Sequence, residues 1–578
     1  MSSLAKLQAA KSLDDLAAIL GYQPATFAFL LYRLTGAQKY TAFTIPKRDG
    51  TPRPILAPSP KLKLLQRRLA NVLYLALADI DKAGAPRRHL SHGFAKNLSI
   101  ITNAAVHKRR RYVFNLDLKD FFPSINFGRV RGMFIIDKRF GLDPKVATLI
   151  AQIACHDNVL PQGSPCSPVI SNIVGHLLDI RLVRFAKAQR CTYSRYADDI
   201  TFSSNAKAFS ADVAAPTPGS EYDWAVGTAL LKEINKAGFD VNPVKTRMQY
   251  RGSRQVTTGL LVNEKPNIRP EYYRTVRAMC WSLFSSGTYY RMVPAALAGG
   301  KPEDPDVKLQ ATSLAPLQGM LGHIYYVRDK VDKRSAPDKK KEATATRKLY
   351  FRFLFYQNFV VANRPIIIPE GKTDSVYLRA AIEKLTAYHP QLGASDKGKF
   401  KPALKFMNFS STVHDVLQIG SGVGDILHFI RKYPDVIKSY WHRPLLHPVI
   451  VLIDNDDGAN EIFSVAKKLG APNISRTSAD PFYRLAANLY LIKTPEIGVK
   501  GTSCIEDLFD PGLLETFIDG KTFDPNKKHD EPGKYGKARF AEKVVQPQKN
   551  TINFLKFADL CDRIVAALND YAANPPKH

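Results

Sequence analysis

The stretch that decides the fold lies near the middle of the chain and reads Tyr193-Ser194-Arg195-Tyr196-Ala197-Asp198-Asp199-Ile200-Thr201-Phe202-Ser203. Aromatic and apolar residues alternate with polar ones on both sides of the two acids, which predicts a β-hairpin. The hairpin would hold Asp198 and Asp199 at its tip, where two adjacent carboxylates can bind two Mg²⁺ ions. A turn that uses Asp only for its turn chemistry is the alternative explanation.

A third carboxylate is predicted upstream, at Asp117. It follows the apolar run at residues 112–114, so it lies at the end of a predicted strand. With Asp198 and Asp199 it would complete a polymerase site, in which two ions about 4 Å apart activate a primer hydroxyl and stabilise the leaving pyrophosphate. Phe122 follows five positions later, where we expect it to crowd a 2′-OH and favour deoxynucleotides.

Three more segments are expected to contact the nucleotide and its template. Residues 45–53 predict a basic hairpin that clamps phosphates. Residues 160–168 predict a rigid turn that precedes an apolar helix and backs the template and incoming base. Residues 242–247 bring a lysine near the triphosphate. The side chains predicted to bind substrate are Lys47, Arg53, Phe122, Gln162, Gly163 and Lys245.

These blocks, in this order, resemble reverse transcriptases, and within them the bacterial retron enzymes, over about residues 40–330. The retron features are Ser91-His92-Gly93-Phe94, Asn103-Ala104-Ala105-Val106-His107 and Thr257-Thr258-Gly259. The last departs from the family at Thr257, where Val-Thr-Gly is usual. The resemblance implies a right-hand fold of fingers, palm and helical thumb. It also implies RNA contacts by Asn103, His107, Thr258 and Gly259. An ordinary polar pair on one helix face is the alternative for Asn103 and His107.

Composition agrees with a nucleic-acid partner. Lys and Arg number 83 against 52 Asp and Glu, which gives a formal net charge of +31. A charge of that size indicates a polyanionic partner, although a generic basic surface is the alternative. The 578 residues, 45% of them hydrophobic, suffice for several domains with packed cores.

Cysteine spacing and hydropathy predict the compartment. None of the six cysteines forms a Cys-x-x-Cys pair, so neither a zinc site nor a disulfide framework is indicated. Reduced thiols fit a cytosolic protein. No run of about 18 apolar residues occurs, and the N-terminus lacks an apolar signal core. Residues 12–20 instead predict a capped amphipathic helix. We therefore expect a cytoplasmic protein with no membrane partner.

A different pattern begins near residue 365. Buried-type strands are predicted at residues 365–369, 449–453 and 489–492, alternating with helices, which indicates a parallel sheet. The first ends in Glu370 and the second in Asp454 and Asp456, where parallel sheets place their sites. These acids form a set of hard oxygen donors suited to Mg²⁺ or Mn²⁺.

This half resembles a TOPRIM domain, an α/β metal fold of primases, topoisomerases and OLD-family nucleases. The resemblance extends the predicted metal ligands to Glu370, Asp374, Asp454, Asp456 and Glu506, and makes Glu370 and Lys537 catalytic. Lys537 would steady the scissile phosphate. The alternatives are a helix cap for Glu506 and a solvated charge for Lys537.

The sequence thus predicts an N-terminal helical segment (1–38), fingers and palm (39–258), thumb and connector (259–360) and a TOPRIM nuclease-like domain (361–578). The resemblance implies branched RNA-linked DNA made with dNTPs on a cognate structured non-coding RNA. It also implies antiphage defence, with RNA (tRNA included) or DNA as the nuclease target. A homo-oligomer is left open. The rival interpretations are a group II intron-like enzyme and a C-terminal half that only binds nucleic acid.

Overall fold

The computed structural model describes residues 1–47, 50–84, 90–220, 223–301, 303–396, 398–496, 502–527 and 530–576. The chain divides into two units. Unit 1 comprises Met1–Tyr273, Met292–Leu309 and Tyr326–Lys333, and unit 2 comprises the remaining residues from Arg274 to His578. Residues 259–360, the predicted thumb and connector, contribute to both units, so the division into four domains stays a prediction.

Unit 1 combines helices with antiparallel strands. Its helices are α1 (Ser3–Ala9), α2 (Leu13–Leu20), α3 (Pro24–Ala28), α4 (Gly36–Lys39), α5 (Pro60–Ala83), α6 (Ile100–Val106), α7 (Phe127–Ile136), α8 (Pro144–Ala154), α9 (Ser167–Ala188) and α10 (Thr228–Lys236). Its strands are β1 (Tyr40–Pro46), β2 (Pro52–Pro58), β3 (Tyr112–Leu118), β4 (Thr192–Tyr196), β5 (Asp199–Ser204), β6 (Ala214–Pro216), β7 (Trp224–Val226), β8 (Val241–Tyr250), β9 (Val256–Thr257) and β10 (Leu260–Leu261). The elements with residues in both units are α11 (Pro270–Ser286), β11 (Tyr290–Val293), β12 (Val307–Gln310) and α12 (Ala315–Val331).

The central sheet of unit 1 has the strand order β4-β5-β3-β8, and neighbouring strands are antiparallel. The hairpin predicted around Asp198 and Asp199 is confirmed as β4 and β5, and the strand predicted before Asp117 is β3. Asp117 pairs in register with Asp199. The sheet therefore brings carboxylates from distant parts of the sequence to the same end.

Helices pack an apolar core against this sheet. Leu65, Leu69, Ile150, Ile170 and Leu178, from α5, α8 and α9, are all fully buried. A proline in the first turn starts each of these helices, where its missing N–H costs no hydrogen bond. The capped helix predicted at residues 12–20 is confirmed as α2, which begins with a capping box of Ser12 and Asp15.

The basic hairpin predicted at residues 45–53 belongs to the β1–β2 pair. These strands are antiparallel from Tyr40↔Pro58 to Pro46↔Pro52. Lys47 and Arg53 are exposed at its end. Two residues of this predicted hairpin, Arg48 and Asp49, lie outside the described residues.

Unit 2 is an α/β unit. Its helices are α13 (Ala336–Lys341), α14 (Ala345–Phe355), α15 (Asp374–Lys384), α16 (His389–Leu392), α17 (Val423–Lys438), α18 (Ala459–Leu469), α19 (Pro511–Leu514), α20 (Lys537–Phe540), α21 (Gln546–Gln548) and α22 (Ala558–Ala573). Its strands are β13 (Ile366–Pro369), β14 (Gly393–Asp396), β15 (Lys399–Pro402), β16 (Lys405–Phe406), β17 (Val449–Ile453), β18 (Tyr483–Ala486), β19 (Leu489–Lys493), β20 (Thr522–Phe523) and β21 (Lys534–Tyr535). Short 3₁₀ or π-helical segments in the two units are Phe29–Arg33, Ala295–Leu297, Tyr356–Val360, Thr386–Tyr388, Val413–Leu417, Ile505–Leu508, Ala541–Val545 and Leu555–Phe557.

The main sheet of unit 2 has the strand order β16-β13-β17-β19-β18. All pairs are parallel except β18–β19. The residues of β13, β17 and β19 are buried throughout, as expected of parallel strands covered on both faces. The predicted parallel sheet is therefore present, whereas its assignment as a TOPRIM domain stays a prediction.

Two further expectations can be compared with the described residues. All six cysteines lie among them as free thiols. No described helix is both long and apolar enough to cross a membrane.

Candidate active sites

The three acids predicted to catalyse polymerisation lie on adjacent strands of the unit 1 sheet. Asp117 is the penultimate residue of β3 and is buried, Asp198 lies in the β4–β5 turn, and Asp199 begins β5. The backbone N–H of Leu118 donates to the carbonyl of Asp198 at 3.0 Å. Ala197, which precedes the pair, has a φ of 56°. The structure thus brings all three predicted acids together.

Cations surround these acids. Lys245 on β8 donates through Nζ to both carboxylate oxygens of Asp117, at 3.1 and 3.0 Å. Desolvation and the Asp117 charge raise the pKa of Asp198, while Lys245 and Arg53 oppose the rise. Desolvation and the charges of Asp198 and Asp117 raise the pKa of Asp199 to about 6. The acids repel one another, and Lys245 and Arg53 lie close enough to offset part of that repulsion, as substrate-binding residues would.

A buried ion pair supports the turn that carries Asp198. Arg195 on β4 is fully buried and bonds to both oxygens of Asp179 on α9, at 2.7 Å each. Its third bond, at 2.9 Å, goes to the carbonyl of Ala197. Tyr193 also donates its hydroxyl to Asp179, at 2.7 Å. The predicted site did not include Asp179 or Arg195, because nothing in their spacing distinguishes them from surface charges.

The Ser91–Phe94 segment lies against the same hairpin. Its backbone bonds with Arg195, through His92 N to Arg195 O at 2.8 Å and Arg195 N to Leu90 O at 2.9 Å. Asn172 donates to the carbonyl of Gly93 at 2.6 Å. A Cβ on Gly93 would approach the backbone nitrogen of Ala197 to 2.5 Å. Glycine is required here because the two backbones are in direct contact.

Asn103 and His107, which were predicted to contact RNA, are both fully buried. His107 bonds to the hydroxyls of Ser194 and Ser203 at 2.7 Å each. Ser194 in turn donates to Asn103 at 2.7 Å. The two residues lie against the interior side of β4 and β5 and stabilise the hairpin, and a contact between them and RNA stays a prediction.

The other residue pair with a predicted RNA contact forms a tight turn. Thr258 and Gly259 connect β9 to β10, and both have positive φ, at 47° and 81°. Two positive φ angles characterise a type I′ hairpin turn. Thr258 also donates its hydroxyl to the carbonyl of Ile100 at 3.1 Å. Gly259 is exposed, so a contact with RNA at this turn stays a prediction.

The predicted substrate residues Phe122, Gln162 and Gly163 lie in two places. The Phe122 ring contacts Phe121 and Phe94, with ring centres 5.5 and 6.1 Å apart. Gln162 accepts a bond from Leu56 N on β2 at 2.9 Å. Gly163 has a φ of 124°, and a Cβ there would approach the Leu56 carbonyl to 2.5 Å. The predicted turn thus packs against β2, and its contact with a nucleotide stays a prediction.

The predicted acids of unit 2 form a second group at the ends of β13 and β17. Asp454 N donates to Glu370 Oε2 at 3.1 Å, and Ile505 N donates to Asp454 Oδ1 at 2.9 Å. The buried Asp374 accepts from Gly371 N at 2.6 Å. Asp456 lies near enough for its charge to raise the pKa of Glu370.

Glu506 and Lys537 join this group, although 31 positions separate them. Lys537 Nζ lies 2.9 Å from Glu506 Oε2. Glu506 is 1% exposed, and its Oε1 has no hydrogen-bond partner. The capping box at residues 504–507 uses Asp507, so Glu506 does not act as the helix cap. The pairing also excludes a freely solvated Lys537.

The electrostatics of the second group resemble those of the first. Desolvation raises the pKa of Glu370 to about 7, with a further contribution from Asp456 and Asp374. Desolvation and Glu506 raise the pKa of Asp374 to about 6. Desolvation and the charges of Asp374 and Glu506 also raise the pKa of Asp454. Burial acts to lower the pKa of Lys537, but the Glu506 charge reverses the shift.

Both groups of acids offer the donor atoms that a hard divalent cation prefers, but neither is arranged as a complete metal site. Within the described ranges, no three His, Cys, Asp or Glu side chains form a group that could hold a metal ion as they stand. The donors are carboxylate oxygens, which Mg²⁺ and Mn²⁺ prefer. Mutual repulsion and the unpaired Glu506 oxygen would be relieved by a cation. A cation bound by Asp117 would compete with Lys245, which donates to both of its carboxylate oxygens.

Residues 45–260, which contain the first group of acids, match the family model described as reverse transcriptase (RNA-dependent DNA polymerase). The retron Mx65 reverse transcriptase of Myxococcus xanthus is 36% identical over 46% of this chain and 61% of its own length. The retron Ec86 reverse transcriptase of Escherichia coli is 31% identical over 47% of this chain and 78% of its own length.

The extent of these matches differs between relatives. The chain spans 61% of the Mx65 enzyme and 48% of the retron Mx162 reverse transcriptase, also from Myxococcus xanthus, at 38% identity. Among solved structures, apo telomerase from Candida tropicalis aligns with a TM-score of 0.30 and 14% identity, over 55% of this chain and 61% of that chain. That likeness is too low to support an argument. The family model and the extensive match to the Escherichia coli enzyme show that the chain belongs to the retron reverse transcriptases.

Proposed function

We propose that this protein is an RNA-directed DNA polymerase that makes branched RNA-linked single-stranded DNA from a cognate structured RNA. The observation that carries the proposal is the convergence of Asp117, Asp198 and Asp199 on adjacent strands within the family-matched region. These carboxylates would hold Mg²⁺, which supplies activation of the primer hydroxyl and charge neutralisation at the leaving group. The primer hydroxyl would be a 2′-OH of the RNA, as the resemblance implies.

The surrounding residues have complementary roles. Lys245 and Arg53, whose charges act on the acids, bind the phosphates of the incoming dNTP. Arg247 was not among the predicted residues. Its charge acts on Asp199, so it is a further cation close to the three acids. Phe122 lies in an aromatic contact with Phe94 and crowds a ribose 2′-OH.

The test replaces Asp198 or Asp199 with Asn and measures RNA-templated primer extension and RNA binding on the same preparations. Extension should be abolished, whereas RNA affinity should change little because phosphate contacts supply most of it. Glu264→Gln, at an exposed ion pair, is the matched control and should extend primers normally. Extension by the Asp198→Asn, Asp199→Asn double variant would refute the assignment.

For unit 2 we propose a metal-dependent TOPRIM nuclease that acts in antiphage defence. Support comes from the order of the sheet and from the charges of six predicted residues, which act on one another. Asp374, Asp454 and Glu506 are buried, and Glu370, Asp456 and Lys537 are partly buried. Mg²⁺ or Mn²⁺ would be held by Glu370, Asp374, Asp454, Asp456 and Glu506, and it would supply polarisation of the phosphodiester and activation of water. Lys537 would hold the scissile phosphate after exchanging its bond with Glu506.

Two alternative functions predict different properties for this protein. A unit 2 that only binds nucleic acid has no need for buried, mutually repelling acids, which cost stability. A group II intron-like enzyme is disfavoured by the retron features at residues 91–94, 103–107 and 257–259. Sequencing the nucleic acid that copurifies with the full chain tests the second alternative, because the proposed enzyme would retain a branched RNA–DNA molecule.

The nuclease proposal is tested with Glu370→Ala and Asp456→Ala. Each should remove cleavage and host toxicity on phage challenge, while branched DNA synthesis continues at Asp117, Asp198 and Asp199. Cleaved tRNA, mRNA and chromosomal DNA are sequenced from both strains, and we expect RNA to be the target. Equal cleavage by wild type and variants would refute the nuclease, and cleavage confined to DNA would reverse the choice of substrate.

A further inference from the structure

A strongly basic pocket lies in unit 2, and none of its lining residues belongs to the group of acids. It encloses about 740 Å³ between α13, α14, α17 and the segment before α17. Its lining contains one acid, Glu342. The cations that line it are Arg334, Lys340, Lys341, Arg347, Lys348, Arg352 and Lys432. We refer to this cavity as the basic pocket.

A buried arginine with an unused donor lines the basic pocket. Arg347 is only 7% exposed, and one terminal nitrogen donates to the carbonyl of Asp415. Its Nε is buried and has no hydrogen-bond partner. A buried cationic donor without an acceptor is unfavourable, and an anion beside the guanidinium would offset part of that cost through its charge. Arg347 therefore differs from the exposed lysines of the lining, because its charge is held away from solvent.

The charges of the basic pocket are poorly neutralised. Glu342 already pairs with Arg334. The Arg334 guanidinium lies 3.9 Å from the Glu342 carboxylate and donates to the Glu342 backbone carbonyl at 3.1 Å. No carboxylate among the described residues forms an ion pair with Lys348 or Lys432. Burial lowers the pKa of the nearby His428, and Lys432 lowers it further. A concentrated positive potential remains, and it favours a multiply charged anion.

The rest of the lining is apolar and includes an aromatic ring. Phe351, Val416 and Val436 contribute to the wall. Phe351 lies one helical turn after Arg347 on α14, so ring and guanidinium share one helix face. A volume of this size is typical of small-molecule sites, and an aromatic ring beside a cluster of cations suits a base joined to phosphates.

We propose that the basic pocket binds a nucleoside triphosphate, with the phosphates against Arg347, Lys348 and Lys432 and the base against Phe351. This ligand goes beyond the proposed function, because neither group of acids takes part. A nucleotide bound in unit 2 would make that unit responsive to the nucleotide supply of the cell. The same chemistry could come from a nucleic-acid strand, which the experiment treats as a separate outcome.

The test titrates ATP into the full chain by calorimetry, with EDTA present and no template or primer, so that the polymerase acids lack both metal and paired substrate. We expect one site per chain. The Lys348→Glu, Lys432→Glu double variant should weaken binding by about tenfold or more, because it removes two charge-assisted contacts. Arg347→Gln should do the same, and Phe351→Ala should reduce ATP binding but not inorganic triphosphate binding.

The matched control is Lys467→Glu, Lys468→Glu, which makes the same charge change on exposed positions of α18. ATP affinity should remain at the wild-type value in that variant. Equal losses in both double variants would overturn the proposal, because the effect would then be one of net charge. Absence of ATP binding, or binding of a single-stranded oligonucleotide that ATP does not displace, would also overturn it.

Discussion

Replacing Asp179 with Asn tests whether its buried ion pair with Arg195 maintains the β4–β5 turn that carries Asp198. Asparagine keeps the shape of the side chain and an oxygen to accept the Tyr193 hydroxyl, but it removes the negative charge. Arg195, with none of its side chain exposed, would then be left as an uncompensated buried cation. Two of its three side-chain bonds end on Asp179, and the third holds the Ala197 carbonyl.

The magnitude follows from this burial. Breaking a buried pair by removing one partner costs about 3–5 kcal/mol. A loss of that size in a unit this large lowers the melting temperature by roughly 10 °C. Turnover should also fall because the Asp198 turn loses a fixed support, while the KM for dNTPs changes less. Arg195 therefore acts as a positioning residue, and it does not contact the reacting atoms.

The assay compares Asp179→Asn with Glu264→Gln by thermal melting and steady-state primer extension. Glu264 pairs with Arg109 at 3.1 Å, but both side chains are about 70% exposed. Its loss should cost at most about 1 kcal/mol. If the two variants melted within a degree of each other and turned over equally, the reasoning from burial would be refuted.

Two further substitutions test the same site. Phe122→Ala should permit ribonucleotide insertion, because it opens space for a 2′-OH. The measurement is the ratio of rNTP to dNTP incorporation, and an unchanged ratio would show that another residue selects the sugar. Gly93→Ala should cost about 1–3 kcal/mol and lower turnover, because its Cβ would lie 2.5 Å from Ala197 N. Gly132→Ala is the control for melting and for primer extension, because a Cβ at Gly132 meets nothing within 4 Å. Equal effects of the two substitutions would show that the close approach of Gly93 to Ala197 does not matter.

The acids and the strands that carry them could be predicted from local pattern. Periodicity located β3 and the β4–β5 hairpin, and these strands determine where Asp117, Asp198 and Asp199 lie. The same reasoning located β13 and β17 and therefore Glu370 and Asp454. In each case local sequence encodes the position of the carboxylate at or near the end of a strand.

The direction in which a helix faces was not predictable in the same way. The i, i+4 spacing of Asn103 and His107 showed that they share a face, but it could not show whether that face meets solvent or the sheet. Both side chains are buried against β4 and β5. The pairing of Arg195 with Asp179 and of Lys537 with Glu506 depends likewise on tertiary contacts that no local spacing records.

The contacts around Gly93 have a consequence for the order of folding. Asn172 reaches Gly93 across 79 positions of the sequence, and Ser91 reaches Asn172 across 81. Contacts of such long range form late, because the chain must first close large loops. We therefore expect the Asp198 turn to be completed only after α9 and the Ser91–Phe94 segment have docked. If unit 1 is the polymerase proposed above, the onset of DNA synthesis would then report that unit 1 has finished folding.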